Sequence, residues 1–340
     1  MQIYIFFLYL SYMRPDSLAE LGEFGLIDRI RSRFPAPSGV TGIGDDCAVI
    51  PQRSGNDTLV STDMLVEGTH FLREDITPYD LGWKSAAVNL SDIAAMGGRP
   101  TATFLSLALP ANLDPGWIEA FMNGYADISG RFDTALLGGD TTASPDRICI
   151  NVAVLGECPS GKARLRSSAM SNDLICVTGP LGDSAAGLKA ILQGVERDAD
   201  VQRLIERHYR PVPRVPEGLE LASNLYVHAM MDISDGISSD LEHILEASDL
   251  SAEIDVDAIP LSAVLKRVCK RYGWDPLALA AGGGEDYELL FTCSRQAEMV
   301  LTTPHFVIGR ILSARPGPGR RITWRGGTPS AAGFDHFKKR

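Results

Sequence analysis

The sequence predicts an α/β chain folded as two domains, and three observations predict it. The chain has 340 residues, enough to bury two hydrophobic cores. Short apolar runs alternate along it with stretches of helical spacing. In both halves, apolar runs end beside acids flanked by Gly or Ser: Gly44-Asp45-Asp46, Ser61-Thr62-Asp63, Gly138-Gly139-Asp140, Asp232-Ile233-Ser234-Asp235-Gly236 and Gly283-Gly284-Glu285-Asp286. A further cluster, Asn89-Leu90-Ser91-Asp92, falls in a helical stretch rich in small residues. The shared pattern suggests related domain plans without a sequence repeat. The texture turns polar and basic over residues 156–173, so the domains are placed at 16–156 and 157–337.

Taken in order, residues 18–34 have helical spacing, with Leu21, Phe24, Ile27 and Ile30 on one stripe and Pro35 and Pro37 as a stop. Residues 47–50 and 58–61 read as strands joined by a polar turn. Thr77-Pro78 opens a long helix, with Thr77 as N-cap and Gly97-Gly98 as its end. Ser85, Asn89, Asp92 and Met96 share one of its faces. Strands follow at 103–109, 134–137 and 148–155, with a helix opened by Asp114-Pro115 after the first. In the second half, strands are expected at 174–178, 227–231 and 289–293. Helices are expected after Gly182, ending near Gly194, and from the capping box Ser239-Asp240-Leu241-Glu242. Pro211, Pro213 and Pro216 mark an extended stretch.

Composition narrows the chemistry. Hydrophobic residues make up 45% and charged residues 22%, as in an ordinary globular protein, and the net charge is −11. A chain this acidic does not bind nucleic acid by general electrostatics. If it binds a polyphosphate, divalent metal must supply the positive charge. The six cysteines form no C-x-x-C pair, so they read as small buried residues in a reducing, cytoplasmic compartment, and zinc is not expected. Residues 2–12 are apolar and aromatic, too short to span a bilayer and without the basic flank of a signal peptide. Residues 1–15 are taken as an appendage outside the fold, and no membrane role is expected.

A single Asp beside Gly is most often a turn residue. Jointly, these acids end buried runs and carry no nearby Lys or Arg partners. Gathering them would raise their pKa values and cost stability unless a shared cation were present, and carboxylates next to Gly and Ser at strand ends are how a fold gathers oxygen ligands around Mg²⁺. Gly182 to Lys189 only approaches a P-loop, and no G-x-G-x-x-G follows a strand, so a nucleotide site must be of another kind. His70 and His243 read as ordinary hydrogen-bonded histidines. Lys162, Arg164 and Arg166 fit either a solvated linker or a phosphate clamp. Lys338-Lys339-Arg340 is a charged tail.

Several segments then match a known family. They are 42–48, 61–63, 88–97, 138–142, 177–179, 182–188, 232–236 and 283–289, and together they resemble the thiamine-monophosphate kinases across residues 23–337. The wider superfamily includes aminoimidazole ribonucleotide synthetase, selenophosphate synthetase and a hydrogenase maturation factor. The resemblance implies ATP-dependent phosphorylation of thiamine monophosphate to thiamine diphosphate, with ATP in a cleft beside several Mg²⁺ ions. It implies an aminoimidazole ribonucleotide synthetase-like fold whose N-terminal sheet pairs across a homodimer. The implied metal ligands are Asp46, Ser61, Thr62, Asp63, Asp92, Asp140, Asp232 and Asp235, with Asp45 as companion acid. The implied ATP contacts are Gly139, Asp140, Arg166 and Ser234. The implied substrate contacts are His70, Glu285 and Phe334, where Glu285 offers the cationic thiazolium an opposite charge and Phe334 a ring face. No residue is implied as a general base, because a phosphate oxygen is already a usable nucleophile. Glu67 and the extra N-terminal residues depart from the family pattern. A selenophosphate synthetase needs a reactive N-terminal Cys and the maturation factor a C-terminal one, and this chain has neither. Aminoimidazole ribonucleotide synthesis fits segments 283–289 and 333–337 less well. A catalytically silent binding protein would have lost metal ligands that are all present here.

Overall fold

The structure, a computed structural model, describes residues 38–41, 44–52, 55–313 and 321–329. The expected helix at 18–34, the N-terminal appendage, Phe334 and the basic tail lie outside the described residues. Two sheets organise the rest. The first runs β1 (Ala48–Pro51), β2 (Asn56–Val66), β3 (Arg99–Pro110), β4 (Ala135–Ser144) and β5 (Cys149–Pro159), in the spatial order β1-β2-β5-β3-β4. Only β3 and β4 pair in parallel; the other neighbours are antiparallel. The parallel pair requires a crossover, which helix α2 (Pro115–Arg131) supplies.

The buried face of this sheet packs on helix α1 (Pro78–Ala95), whose cap is the expected one: Thr77 Oγ1 accepts the Asp80 N–H, and Pro78 sits in the first turn. The helix is buried almost all round, which its run of Ala, Gly and Ser permits. It crosses α2 at backbone contact. A Cβ on Gly82 would lie 1.9 Å from the Phe121 carbonyl oxygen, and one on Gly124 would lie 1.9 Å from that of Tyr79. Only glycine at both positions lets the axes approach this far.

The second sheet contains β6 (Leu174–Val177), β7 (Val227–Asp232), β8 (Ser251–Asp255), β9 (Leu289–Cys293), β10 (Phe306–Leu312) and β11 (Ile322–Arg325), in the order β11-β8-β10-β6-β9-β7. Helices α3 (Asp183–Leu192), α4 (Ala199–Tyr209), α5 (Val215–Ser223), α6 (Ile237–Ala247), α7 (Ala263–Tyr272), α8 (Pro276–Gly282) and α9 (Arg295–Glu298), with short 3₁₀ helices at Arg166–Ser168 and Val256–Ala258, complete the described elements. The halves meet along α1. Its C-terminal end packs on α5, where a Cβ at Gly218 would fall 2.3 Å from the Ala94 carbonyl oxygen. Ala94 and Ala95 share a buried cluster with Val215, Leu221 and Phe291.

Three expectations need correction. The strands read at 58–61 and 134–137 are longer, so Asp63 and Asp140 lie within β2 and β4 rather than at their exits. The polar residues of β2 alternate between faces, and its ladder with β5 continues through them from Asn56 to Val66. The capping box at Ser239 is not used. Helix α6 starts at Ile237 with Gly236 (φ +102°) as its cap, and the Ser239 N–H already bonds the Gly236 carbonyl. The stretch marked by three prolines is extended only up to Arg214; Pro216 sits in the first turn of α5, where a missing N–H costs nothing. Among the described residues, no helix is long and apolar enough to cross a membrane.

Candidate active site

Four elements from both halves of the chain bring acids to one place. The turn before β1 supplies Asp46, β2 supplies Ser61 and Asp63 on one face, α1 supplies Asp92, and the end of β7 supplies Asp232. Carboxylate oxygens of Asp46, Asp92 and Asp232 lie within 4.8 Å of one another. Ser61 Oγ donates to Asp92 Oδ2 at 2.5 Å, and Ser91 Oγ donates to Asp232 Oδ2 at 2.5 Å. Asn89 Oδ1 accepts the Asp63 N–H at 3.2 Å, which ties β2 to α1.

This packing is electrostatically costly. Burial, then the neighbouring carboxylates, pushes Asp92 well above the usual carboxylate range. Burial and Asp46 do the same to Asp232, against the Ser91 hydrogen bond. Asp63 is pushed up to about 6, by burial first and Asp46 second. The acids do have a cationic partner after all. Arg166 reaches Asp46 through Nε (3.2 Å) and Nη2 (2.9 Å), and its backbone N–H donates to Asp45 Oδ1 at 2.7 Å. Burial alone would lower the Arg166 pKa, but Asp46 overrides it and the guanidinium is held firmly charged. One guanidinium against four carboxylates, one buried and three half-buried, leaves a surplus of negative charge at oxygen ligands, which suits a hard divalent cation.

The remaining sequence-derived residues fall in different places. Ser234, Asp235, His70 and Glu285 line the same cavity as Asp63, Asp92 and Asp232, a space of about 1200 Å³. The Val66 N–H donates to His70 Nδ1 at 2.9 Å, so the proton of the neutral ring sits on Nε2. Asp45 secures the Arg166 backbone. The Thr62 side chain points to the other face of β2, donating to the Val152 carbonyl and accepting from Asn151 Nδ2. Asp140 and Gly139 lie on β4, an exposed edge strand, and Asp140 Oδ1 accepts its neighbour's N–H. A Cβ on Gly139 would lie 1.7 Å from the Leu105 carbonyl oxygen, so this glycine is required by the close approach of β3. In the basic knot, Arg164 donates to the Ala222 and Asn224 carbonyls and acts as a strut between segments, whereas Arg166 faces the acids.

The segment from Gly283 divides its labour. Asp286 accepts the N–H groups of Gly182 and Ser184 at the start of α3. Glu288, fully buried, accepts from Thr178, Arg207 and Arg214. Of the segment's three acids only Glu285 lines the cavity, at φ +63°. There it meets two residues that the sequence did not single out. Lys84 Nζ lies 2.8 Å from Oε1, and His208 Nδ1 lies 3.1 Å from Oε2. Burial opposes the charge of Glu285, but Lys84 and His208 more than compensate and hold its pKa below the ordinary value. His208 itself is lowered to about 3, mainly by burial and then by Lys84, so it is neutral and donates from Nδ1 to the carboxylate. The signal for Lys84 was present in its spacing: Lys84, Val88 and Asp92 recur every four residues, and all three line the cavity.

The chain matches two family descriptions: AIR synthase related protein, N-terminal domain, over residues 44–158, and AIR synthase related protein, C-terminal domain, over residues 171–314. It is 45% identical over 338 residues to the thiamine-monophosphate kinase of Salmonella typhimurium (strain LT2), covering 93% of this chain and 98% of that protein. To the Escherichia coli K12 enzyme of the same name it is 41% identical, with the same coverage. Among solved structures, AaThiL complexed with AMPPCP and TMP is similar, with a TM-score of 0.85 and 35% identity, covering 95% of this chain and 99% of that one. Similarity of this extent, over both sheets and the cavity between them, places the chain in the thiamine-monophosphate kinase family, on the two-domain AIR synthase related fold.

Proposed function

We propose that this chain transfers the γ-phosphoryl group of ATP to thiamine monophosphate, giving thiamine diphosphate by direct in-line attack. The observation that carries this reading is the convergence of Asp46, Asp92 and Asp232, from both halves, at one end of a cavity large enough for two reactants. Support comes from the family and from the similar structure's AMPPCP and TMP.

The attacking phosphate oxygen needs no general base, so the protein's work is positioning and charge compensation. Mg²⁺, when bound, would offset the charge of the two phosphorylated reactants. Asp46, Ser61, Asp63, Asp92, Asp232 and Asp235 fit its oxygen-ligand chemistry and would hold it, joined by Thr62, Asp140 and Asp45 on the family's pattern. Arg166 keeps donors free beyond the two that bind Asp46, so it can hold a phosphate oxygen while staying anchored. Ser234 and Gly139 complete the nucleotide side. His70, with its proton on Nε2, Glu285 and Phe334 form the thiamine side.

The same reading makes the protein a cytoplasmic homodimer that binds neither nucleic acid nor membrane. All six cysteines are free, as a reducing compartment requires. Strand β4 carries exposed Leu136 and Leu137 on a sheet edge that is unpaired among the described residues, which a second copy would cover.

The test is to incubate purified protein with ATP, Mg²⁺ and either thiamine monophosphate or free thiamine. Thiamine diphosphate should form only from the monophosphate, and should cease reversibly on chelation. Failure to form it, or equal use of free thiamine, overturns the proposal.

A further inference from the structure

Helix α1 spaces two chemically different ends of the cavity. Asp92 belongs to the acid cluster, and Lys84, eight residues earlier, lies about 12 Å back along the axis. Lys84 is only 1% exposed, yet it lines the cavity. Beyond its ion pair with Glu285, its ammonium meets no hydrogen-bond acceptor among the described residues. Its remaining protons therefore have no acceptor among the described residues, which a buried ammonium does not tolerate for free, and the residue borders the cavity.

The Glu285 side chain is 27% accessible, and its carboxylate has two oxygens with spare acceptor capacity. Lys84 already offsets its charge, so little net negative charge remains to attract a cationic ring. What the pair presents instead is a donor beside an acceptor, 2.8 Å apart. The backbone fixes this geometry. Glu285 is held at positive φ, and the preceding Gly284 has no room for a side chain, since its Cβ would lie 2.1 Å from the Ser234 carbonyl oxygen. His208 braces the second oxygen, with Ser184 Oγ 3.1 Å from the same ring nitrogen.

We infer that Lys84 and Glu285 together read the aminopyrimidine edge of the substrate: Glu285 accepts from the exocyclic amino group, and Lys84 donates to the adjacent ring nitrogen. This rests on the proposed thiamine monophosphate reading and revises one part of it. The organic half is selected by a neutral hydrogen-bond pattern rather than by the thiazolium charge. Lys84 thereby becomes a specificity-determining residue.

Two substrate analogues separate the alternatives without altering the protein. In the 4-oxo analogue of thiamine monophosphate the edge is inverted, with an acceptor where the amino donor was. In the deaza analogue the cationic ring is replaced by a neutral one and the aminopyrimidine is kept. With ATP and Mg²⁺, kcat/KM should fall about 100-fold or more for the oxo analogue, because buried donors and acceptors would face like groups. It should stay within about 5-fold of the natural substrate for the neutral-ring analogue, since no net charge is recognised at this end. Tolerance of the oxo analogue, or a loss with the neutral ring as large as with the inverted edge, overturns the inference. If thiamine monophosphate itself is not phosphorylated, the kinase reading fails instead. As a second arm, Lys84→Met should raise KM for thiamine monophosphate and leave KM for ATP unchanged. Equal KM values for thiamine monophosphate in the variant and the natural protein, measured on folded protein, also overturn the inference.

Discussion

The two ends of the cavity hold the same kind of side chain in opposite electrostatic states. Asp46, Asp63, Asp92 and Asp232 crowd together with one guanidinium among them, and burial and mutual repulsion push Asp63, Asp92 and Asp232 toward protonation. Glu285 is half-buried, and Lys84 and His208 satisfy it and lower its pKa. The first end carries a surplus of negative charge that a cation would offset. The second is already neutral and can offer only directional hydrogen bonds. A shared helix contributes to both, so the difference arises from what the C-terminal half brings against it: a fourth acid on β7 at one end, an imidazole on α4 at the other.

The strongest way to break this contrast is to neutralise an acid at each end. Asp92→Asn should lower kcat by about 10³-fold or more, the scale expected when charge stabilisation of the transition state is lost. The same change removes repulsion, so the metal-free variant should melt a few degrees higher than the natural protein. Calorimetry with and without Mg²⁺ checks this, and the natural protein should gain more from the ion. A variant that keeps near-normal turnover, or that melts lower without metal, would contradict the surplus-charge account.

Glu285→Gln should behave in the opposite sense. It strands the Lys84 ammonium, and breaking a buried pair from one side costs about 3–5 kcal/mol. It should also raise KM for thiamine monophosphate about tenfold or more while sparing KM for ATP, consistent with a loss of one or two hydrogen bonds to substrate. Adding Lys84→Met should restore part of the stability and none of the substrate affinity. If the double variant is no more stable than the single one, the ion pair is not what holds this end together.

How much of this contrast the sequence disclosed depends on where the information resides. The acid end was legible because Asp46, Asp63, Asp92 and Asp232 each interrupt or terminate an apolar run, a local signal. The satisfied end left only the four-residue spacing of Lys84 from Val88 and Asp92, a weak signal. A lysine in a helix reads as a solvated side chain, and Lys84 is buried only because α4 and the Glu285 loop, more than a hundred residues later, close over it. Arg166 could be read only as linker or clamp, since its partner Asp46 lies 120 residues away. Local signals also misled where two caps competed. Ser239 and Glu242 have capping-box spacing, but Gly236 turns the chain three residues earlier. Likewise the prolines from 211 to 216 concealed α5, because proline in a first turn and proline in a loop look alike from sequence.

The smallest expected effect concerns His208, the brace of the satisfied end. Its folded pKa of about 3 lies below the ordinary 6.5, through burial first and Lys84 second. The folded state therefore resists protonation while the unfolded state accepts it. The stability contributed by the neutral ring is fully present above pH 6.5 and is lost as pH falls from there toward 3. At pH 5.5 the loss is about 1.4 kcal/mol, set by protonation of the unfolded chain alone. His208→Gln retains a donor for Glu285 and does not titrate. Its melting temperature, followed from pH 7 to 5, should fall less steeply than that of the natural protein, by one or two degrees over the interval for a chain of roughly this size. Parallel curves would mean that the imidazole is protonated in the fold. Glu285 would then face two cations rather than one, and the neutral account of this end of the cavity would fail.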